Sequence, residues 1–429
     1  MLTTRPRGIN DILPGEVERW QALEAHIRRL FSLYHYEEIR TPIFEHTELF
    51  LRSVGETSDI VEKEMYSFED KGLRHVTLRP EGTAGVVRAY IENRLFAGPA
   101  PQKLFYIGPM FRYDQPQAGR YRQFHQFGCE VLGSDAPVVD AEVITFAVDL
   151  FSRLGLQDLK VSLNTVGCPA CRPAYEKALV AYFETHLDDL CDTCKDRLHR
   201  NPLRILDCKE EGCTRLAAEA PTTLDYACDH CRDHFSSVRA YLDGVGIPYE
   251  LDSTLVRGLD YYTQTAFEVI MTQKSGAQNA ICGGGRYNKL VYNCGGKDTP
   301  GVGFAAGMER LLLILESQGI DIGQQAVPGV YLAPLDQEAS QLAFQLAKAL
   351  RAKDIAVEMD CMGKSLKAQM KTADRLKARY SVLIGENERL GGYATVRQMA
   401  DGDQTEVPLD KLVIYLEERI NHVATEKNA

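Results

Sequence analysis

The chain has 429 residues, 45% hydrophobic and 25% charged, the composition of a soluble globular protein with room for two or three domains and a large core. No apolar run reaches transmembrane length and no signal-peptide pattern opens the chain, so a cytoplasmic protein is expected. A formal net charge of −11 excludes a small cationic RNA-binding module, though an acidic enzyme can still bind RNA through locally gathered basic residues.

The opening RGINDILPGE (7–16) reads as extended chain that turns at Pro14 and Gly15 into a helix. In that helix Val17, Trp20, Leu23, Ile27 and Leu30 recur at helical spacing, a stripe for the core. Residues 37–55 read as a strand into Pro42 followed by a helix. In RHVTLRPEGTAGVV (74–87), Val76 and Leu78 end a strand, Pro80 and Gly82 turn the chain, and Thr83 is the expected cap of the next helix. Glu81 then sits where strand meets helix, placed either to contact a ligand or to add negative charge at a helix N-terminus.

The stretch LFYIGPMFRYDQPQAGRYRQFHQFGCEVLG (104–133) predicts an antiparallel hairpin with a long polar tip holding Asp114, Arg120 and Arg122. On the returning strand, period two places Phe124, Gln126, Gly128, Glu130 and Leu132 on one face. His125, Phe127, Cys129 and Val131 fall on the other. An amide, a gap and a carboxylate in a row suit the floor of a small polar ligand, with arginines nearby for an anion. The alternative is an edge hairpin with a solvated face.

A helix over 141–154 and a strand over 160–164 precede a segment holding eight of the twelve cysteines: 168, 171, 191, 194, 208, 213, 228 and 231. It reads as largely helical, with periodic stretches over 173–187, 192–200 and 230–242 joined by NPLRILDCK. Paired C-x-x-C spacing in a cytosolic chain points to zinc sooner than to four disulfides. The most local set is Cys191, Cys194, Cys208 and Cys213, leaving Cys168, Cys171, Cys228 and Cys231. Other pairings, and unligated thiols, stay open.

Strand pattern returns at 249–271, where Arg257 and Gly258 make a turn before Asp260, Tyr261 and Tyr262, and Phe267, Val269 and Met271 alternate with Glu268 and Ile270. In AICGGGRYNKL (280–290) three adjacent glycines admit close approach of the backbone to a ligand or a neighbouring strand, the alternative being a plain loop. GVGFAAGMERLLLIL (301–315) reads as a helix in which Gly303 and Gly307 permit close packing, with Arg310 one turn on. QQAVPG (324–329) is the expected linker. Beyond it strands at 330–333, 356–359 and 381–384 alternate with helices at 339–352 and 364–378, the pattern of a small α/β domain with a parallel sheet. Lys364, Lys367, Lys371 and Arg375 form a basic stripe on the second of these helices, which is otherwise a solvated face.

The arginine-bearing hairpin, RGLDYY (257–262), GGGRYN (283–288) and GFAAGMERLLLIL (303–315) occur in that order. Together they resemble the class II aminoacyl-tRNA synthetases and, within them, the histidyl-tRNA synthetase family, over nearly the whole chain. The resemblance implies an α+β fold: an antiparallel-sheet catalytic core over 1–165 and 249–323, a cysteine-rich helical insertion over 166–248 that contacts the tRNA acceptor stem, and an α/β anticodon-binding domain over 330–429. It also implies a homodimer built by the 37–55 region. The cysteines depart from the family's common core.

The implied reaction joins L-histidine to tRNA(His) through a histidyl-adenylate made from ATP. By resemblance Glu81, Thr83 and Gln126 hold the α-amino group, Glu130 and Tyr262 the imidazole, and Tyr261 and Tyr287 shape the pocket. Arg112 and the catalytic Arg257 grip the α-phosphate and reach the histidine carboxylate, while Arg120, Arg122 and Arg310 hold the β,γ-phosphates with Mg²⁺. No general base for transfer stands out, and the substrate phosphate is the candidate. The competing reading is a non-catalytic, histidine-sensing regulatory subunit of ATP phosphoribosyltransferase; the intact Arg257 segment and the residues beyond the linker argue against it.

Overall fold

The computed structural model describes residues 3–55, 58–272, 280–323 and 327–426, so part of the expected linker, 324–326, lies outside the described residues. The chain divides into two compact units, Met1–Gly323 and Gln324–Ala429.

The strands of the first unit are β1 (Glu37–Glu38), β2 (Phe44–His46), β3 (Tyr66–Glu69), β4 (His75–Leu78), β5 (Gln102–Phe111), β6 (Gln123–Leu132), β7 (Leu159–Thr165), β8 (Tyr249–Leu251), β9 (Thr263–Met271), β10 (Ala280–Arg286) and β11 (Gly301–Gly307). Eight form one sheet in the order β1-β5-β6-β11-β10-β9-β7-β8, and β2-β4-β3 form a small second sheet. Every pairing among β5, β6, β11, β10, β9 and β7 is antiparallel; only the edge strands β1 and β8 join in parallel.

One face of the large sheet carries the main core. Trp20, Leu23, Ile27, Leu30 and Phe31 of the helix Val17–Leu33 are buried there, as the 3.6-residue spacing requires. Phe31 stacks between Phe105 and Phe146, each at a centroid distance of 4.3 Å. The helix Pro137–Arg153 starts four residues before the expected 141, because Pro137 can open a helix without losing a hydrogen bond. The other face of the sheet, left free of this packing, holds the polar groups described below.

Four local expectations are corrected or settled. Residues 301–307 form a strand, not a helix; the helix begins only at Met308. Val302, Phe304 and Ala306 enter the core, while Gly301, Gly303 and Ala305 are small on the site face, a period of two hidden by small residues. The three glycines 283–285 lie in β10, not in a loop, paired on both sides. Thr83 does not cap its helix: the Glu81 carboxylate accepts from the Thr83 and Ala84 N–H groups at 2.7 and 2.8 Å, freeing the Thr83 hydroxyl. The strand expected into Pro42 is only Glu37–Glu38, which joins the large sheet as β1, and a second short strand, β2, follows Pro42 and joins the small sheet.

Between β7 and β8 the chain forms the helices Arg172–Glu184, Asp192–Arg197, Glu211–Glu219, Thr223–Tyr226 and Asp229–Gly244, with a tight 3₁₀ turn at Pro202–Ile205. The second unit has β12 (Val330–Pro334), β13 (Val357–Met359), β14 (Tyr380–Ile384), β15 (Tyr393–Gln398) and β16 (Gln404–Pro408), in the order β13-β12-β14-β15-β16. Its first three strands are parallel, as expected, but β15 and β16 add antiparallel partners. The helix Leu366–Arg375 starts after Lys364, whose N–H bonds to the Asp360 carboxylate at 2.8 Å; Lys364, Lys367, Lys371 and Arg375 are all exposed.

Candidate active site

On β6 the two expected faces separate: Phe127, Cys129 and Val131 enter the core, and Glu130 lies on the opposite side at 1% exposure. Its carboxylate accepts from the Thr83 hydroxyl at 2.7 Å and from the Tyr287 hydroxyl. β11 places Gly303 directly across from Glu130, and a Cβ there would strike the carboxylate. At Gly128 a Cβ would meet the Tyr106 hydroxyl at 2.5 Å and the Phe304 carbonyl at 2.6 Å. The glycines of this region are therefore clearances around buried polar groups.

Burial pushes the Glu130 carboxyl up to about 8, against the hydroxyl bonds of Tyr287 and Thr83 that favour its charge. Glu81, 4% exposed, is also raised by burial, although two backbone N–H groups point at it. The rings of Tyr261 and Tyr262 lie 4.7 Å apart, and Tyr261 meets Tyr287 edge-on at 5.6 Å. The Gln126 side-chain oxygen is buried with no hydrogen-bond partner among the described residues. Thr83, Glu130 and Tyr287 thus form one hydrogen-bonded buried cluster, with the Tyr261 and Tyr262 rings packed beside it and the Glu81 charge felt by Glu130.

Beside it opens a cavity of about 770 Å³ whose wall includes Arg112, Arg120, Arg257 and Arg310. Arg112 is anchored by its Nε, which donates to the Pro80 carbonyl at 2.8 Å, and its guanidinium lies 5.4 Å from the Phe124 ring centre. Burial lowers its pKa, opposed by the charges of Glu64 and Glu81. Burial is the largest effect on Arg257 and lowers its pKa, but the Glu268 carboxylate it contacts, together with Tyr262, Cys282 and Tyr261, reverses this and the pKa is raised. A Cβ at Gly283 would strike the Arg257 guanidinium, so that glycine is the bed on which the arginine lies. Burial and then Arg120 lower Arg310. Arg120 pairs with Asp114 at 3.2 Å. Arg122 is not on the cavity wall: it stacks on Tyr113 at 3.9 Å and donates to the Asp114 carbonyl.

Several groups on this wall escaped the sequence reading. Glu268, the partner of Arg257, was visible as a lone carboxylate alternating with core residues. Glu64, Asp207 and Lys209 also line the cavity, and they come from remote segments with no local signal. His125, on the far side of the sheet from Glu130, binds Glu309 at 2.9 Å and packs edge-on against Trp20.

The eight clustered cysteines gather into two sets, Cys168, Cys171, Cys228, Cys231 and Cys191, Cys194, Cys208, Cys213. In each, all four sulfurs lie within 4.8 Å of one another.

A family model for histidyl-tRNA synthetase matches residues 8–311, and one for an anticodon binding domain matches 329–419. The histidine–tRNA ligase of Desulforamulus reducens is 59% identical, covering 98% of this chain and 100% of its own length. That of Pelotomaculum thermopropionicum is 56% identical, over 98% and 99%. The crystal structure of apo S. aureus histidyl-tRNA synthetase superposes with a TM-score of 0.82 at 41% identity, over 97% of this chain and 100% of that one. An ATP phosphoribosyltransferase regulatory subunit/histidyl-tRNA synthetase from Bacillus halodurans shares the fold at 21% identity, with a TM-score of 0.63 over 90% of this chain and 98% of its own. The antiparallel sheet, the convergent arginines and the two family matches agree, and the chain belongs to the histidyl-tRNA synthetase family.

Proposed function

We propose that this chain activates L-histidine with ATP and transfers it to tRNA(His), with the Glu130 pocket taking the imidazole and the arginine cavity taking the triphosphate. The observation that carries the reading is a buried carboxyl, whose proton burial favours, on the sheet whose strands β6, β11 and β10 also line a cavity ringed by four guanidinium groups. Histidine is the amino acid whose side chain can take that proton or donate to the carboxylate, and a triphosphate is the partner that several arginines recognise.

In activation a histidine carboxylate oxygen forms a bond to the α-phosphorus of ATP as the bond to the bridging oxygen of pyrophosphate breaks. Here the protein's work is positioning and charge stabilisation. Arg112, held by Pro80, and Arg257, held by Glu268 and lying over Gly283, are fixed before substrate arrives. Both are assigned to the α-phosphate, with Arg257 as the catalytic group that also reaches the histidine carboxylate. Arg120 and Arg310 hold the β,γ-phosphates. Arg122 joins them only if it leaves its stacking on Tyr113. Glu64 and Glu268, beside Asp114 and Asp207, are among the carboxylates on the wall that would suit a Mg²⁺ bound with the triphosphate, where it would neutralise phosphate charge.

Glu81, Thr83 and Gln126 are assigned to the α-amino group, and Tyr261, Tyr262 and Tyr287 close around the ring. In transfer the terminal adenosine 3′-hydroxyl attacks the adenylate carbonyl carbon and AMP departs. The anticodon-binding domain and the exposed basic residues of Leu366–Arg375 support a second grip on tRNA. Exposed Phe44 and Phe68 on the small sheet support a homodimer built through that region. No described helix is long and apolar enough to cross a membrane, and a tRNA substrate supports a cytoplasmic location. The two cysteine sets support a structural Zn²⁺ in each.

A histidine-sensing regulatory role without tRNA charging is the weaker reading, because the Arg257 segment is intact and the anticodon-binding match is present. ATP–pyrophosphate exchange run with all twenty amino acids separates the two. Exchange dependent on histidine alone is expected, and its absence in folded protein would overturn the proposal.

A further inference from the structure

Eight thiols have no part in activation or transfer as derived above. Their spacing is informative. Sulfur–sulfur distances are 3.7 Å for Cys168–Cys171, 3.8 Å for Cys168–Cys228, 3.9 Å for Cys171–Cys231 and 3.9 Å for Cys191–Cys208. A disulfide would hold two sulfurs about 2 Å apart. Four thiolates about 2.3 Å from one tetrahedral zinc lie about 3.8 Å from each other. An iron–sulfur cluster, with its own sulfides interposed, would hold cysteine sulfurs farther apart. Main-chain N–H groups already point at the sulfurs, Cys168 to Cys171 at 3.2 Å and Cys191 to Cys213 at 3.3 Å, a supporting contact for metal-bound thiolate.

The two sets occupy different places. Cys168 and Cys171 follow β7, while Cys228 and Cys231 start the helix that returns to β8, so the base set closes the insertion where it leaves the sheet. The tip set adjoins the arginine cavity. Cys208 lies between Asp207 and Lys209, both on the wall of the arginine cavity. Asp207 pairs with Lys209 at 3.0 Å and with Arg204 at 3.6 Å. Arg204 is buried, pairs with Asp59 at 3.2 Å, and donates to the main-chain carbonyl of Arg257 at 3.3 Å.

We infer that zinc held by Cys191, Cys194, Cys208 and Cys213 fixes the 204–209 turn, so that Arg204 positions the Arg257 main chain and Lys209 faces the nucleotide phosphates. Zinc loading at the tip then sets ATP affinity from outside the catalytic sheet. The inference rests on the reading of the arginine cavity as the ATP site. Nothing in it requires zinc to touch substrate; Arg204 and Lys209 act as positioning and electrostatic groups.

Elemental analysis of the full chain, purified without chelator, is expected to give one zinc per set, and Cys208→Ser to lose only the tip ion. Cobalt substitution gives a readout independent of activity: the visible bands of tetrahedral thiolate-bound Co²⁺ should fall by half in Cys208→Ser. In exchange assays Cys208→Ser and Lys209→Met are each expected to raise the KM for ATP about tenfold, the loss of roughly one charged phosphate contact, with the histidine KM nearly unchanged. Lys209→Met should keep both metals. Where Cys208→Ser fails to fold, stripping zinc from the natural chain and restoring it should raise and then recover the ATP KM. Metal below about a tenth of an equivalent overturns the sites themselves. Full zinc with an ATP KM that ignores stripping and Lys209→Met alike overturns the positioning role. Failure of the ATP-site reading looks different: Arg310→Ala would also leave the ATP KM unchanged while zinc stays at one per set.

Discussion

Burial pushes the Glu130 carboxyl up to about 8, which favours its protonated form at neutral pH. An unfolded glutamate loses its proton near 4.3, so between that pH and about 8 the folded state binds the extra proton. Stability from this residue is therefore complete at low pH and is lost as pH rises toward about 8. Glu130→Gln removes the titration: its urea midpoint should match the parent at about pH 4 and exceed it at about pH 8, while discrimination for histidine falls. Parallel midpoints across that range would show that burial does not hold the proton. Arg257→Ala carries the complementary prediction. Exchange should fall about a hundredfold or more, with histidine affinity changed less, because the guanidinium acts mainly on charge in the transition state. Its loss also leaves Glu268 without its partner, so a thermal melt must first show the variant folded.

At the scale of elements, the site is made by the register of β6, β11 and β10. Each strand presents a core residue and then a small or polar one, and the small residues make room for the side chains of the neighbouring strand. Gly303→Ala puts a methyl against the Glu130 carboxylate and the Cys129 carbonyl, where backbone cannot move aside. A cost of about 1–3 kcal/mol is expected, with a raised histidine KM. Gly244→Ala, where a Cβ meets nothing within 4 Å, is the control and should leave both stability and KM near the parent values. Equal melts for the two variants would mean that the β6–β11 pairing tolerates a shift of register.

For the whole molecule, the second unit has its own core, with Val330, Leu346, Val382, Val396 and Leu416 buried together. Every residue assigned to histidine or ATP lies in the first unit. Deleting 330–429 is therefore expected to leave exchange largely intact while aminoacylation falls much further, since tRNA loses a second attachment and its effective concentration at the site. Neutralising Lys364, Lys367, Lys371 and Arg375 should weaken tRNA binding and flatten its salt dependence, as fewer counterions are released. An equal loss of exchange and charging, in a truncation that keeps the parent's oligomeric state, would assign the domain to the catalytic core.

Much of this molecule was legible in one dimension. Period two separated Glu130 from the core face of β6, helical spacing marked the stripe from Trp20 to Leu30, and the order of four motifs identified the family. These are local signals, because an element's faces follow from its own repeat. Where small residues blur the repeat, 301–307 reads as helix and 283–285 leaves a loop open; only pairing with neighbours makes both of them strands. Likewise C-x-x-C spacing announced thiol pairs but left open which pairs meet across 60 residues. The contacts of Arg257 with Glu268 and of Arg204 with the Arg257 carbonyl join segments far apart in the chain, as does the reach of Lys209 to the cavity. No local pattern encodes such contacts. They exist because the sheet and the insertion bring remote backbone together, and tertiary structure alone decides them.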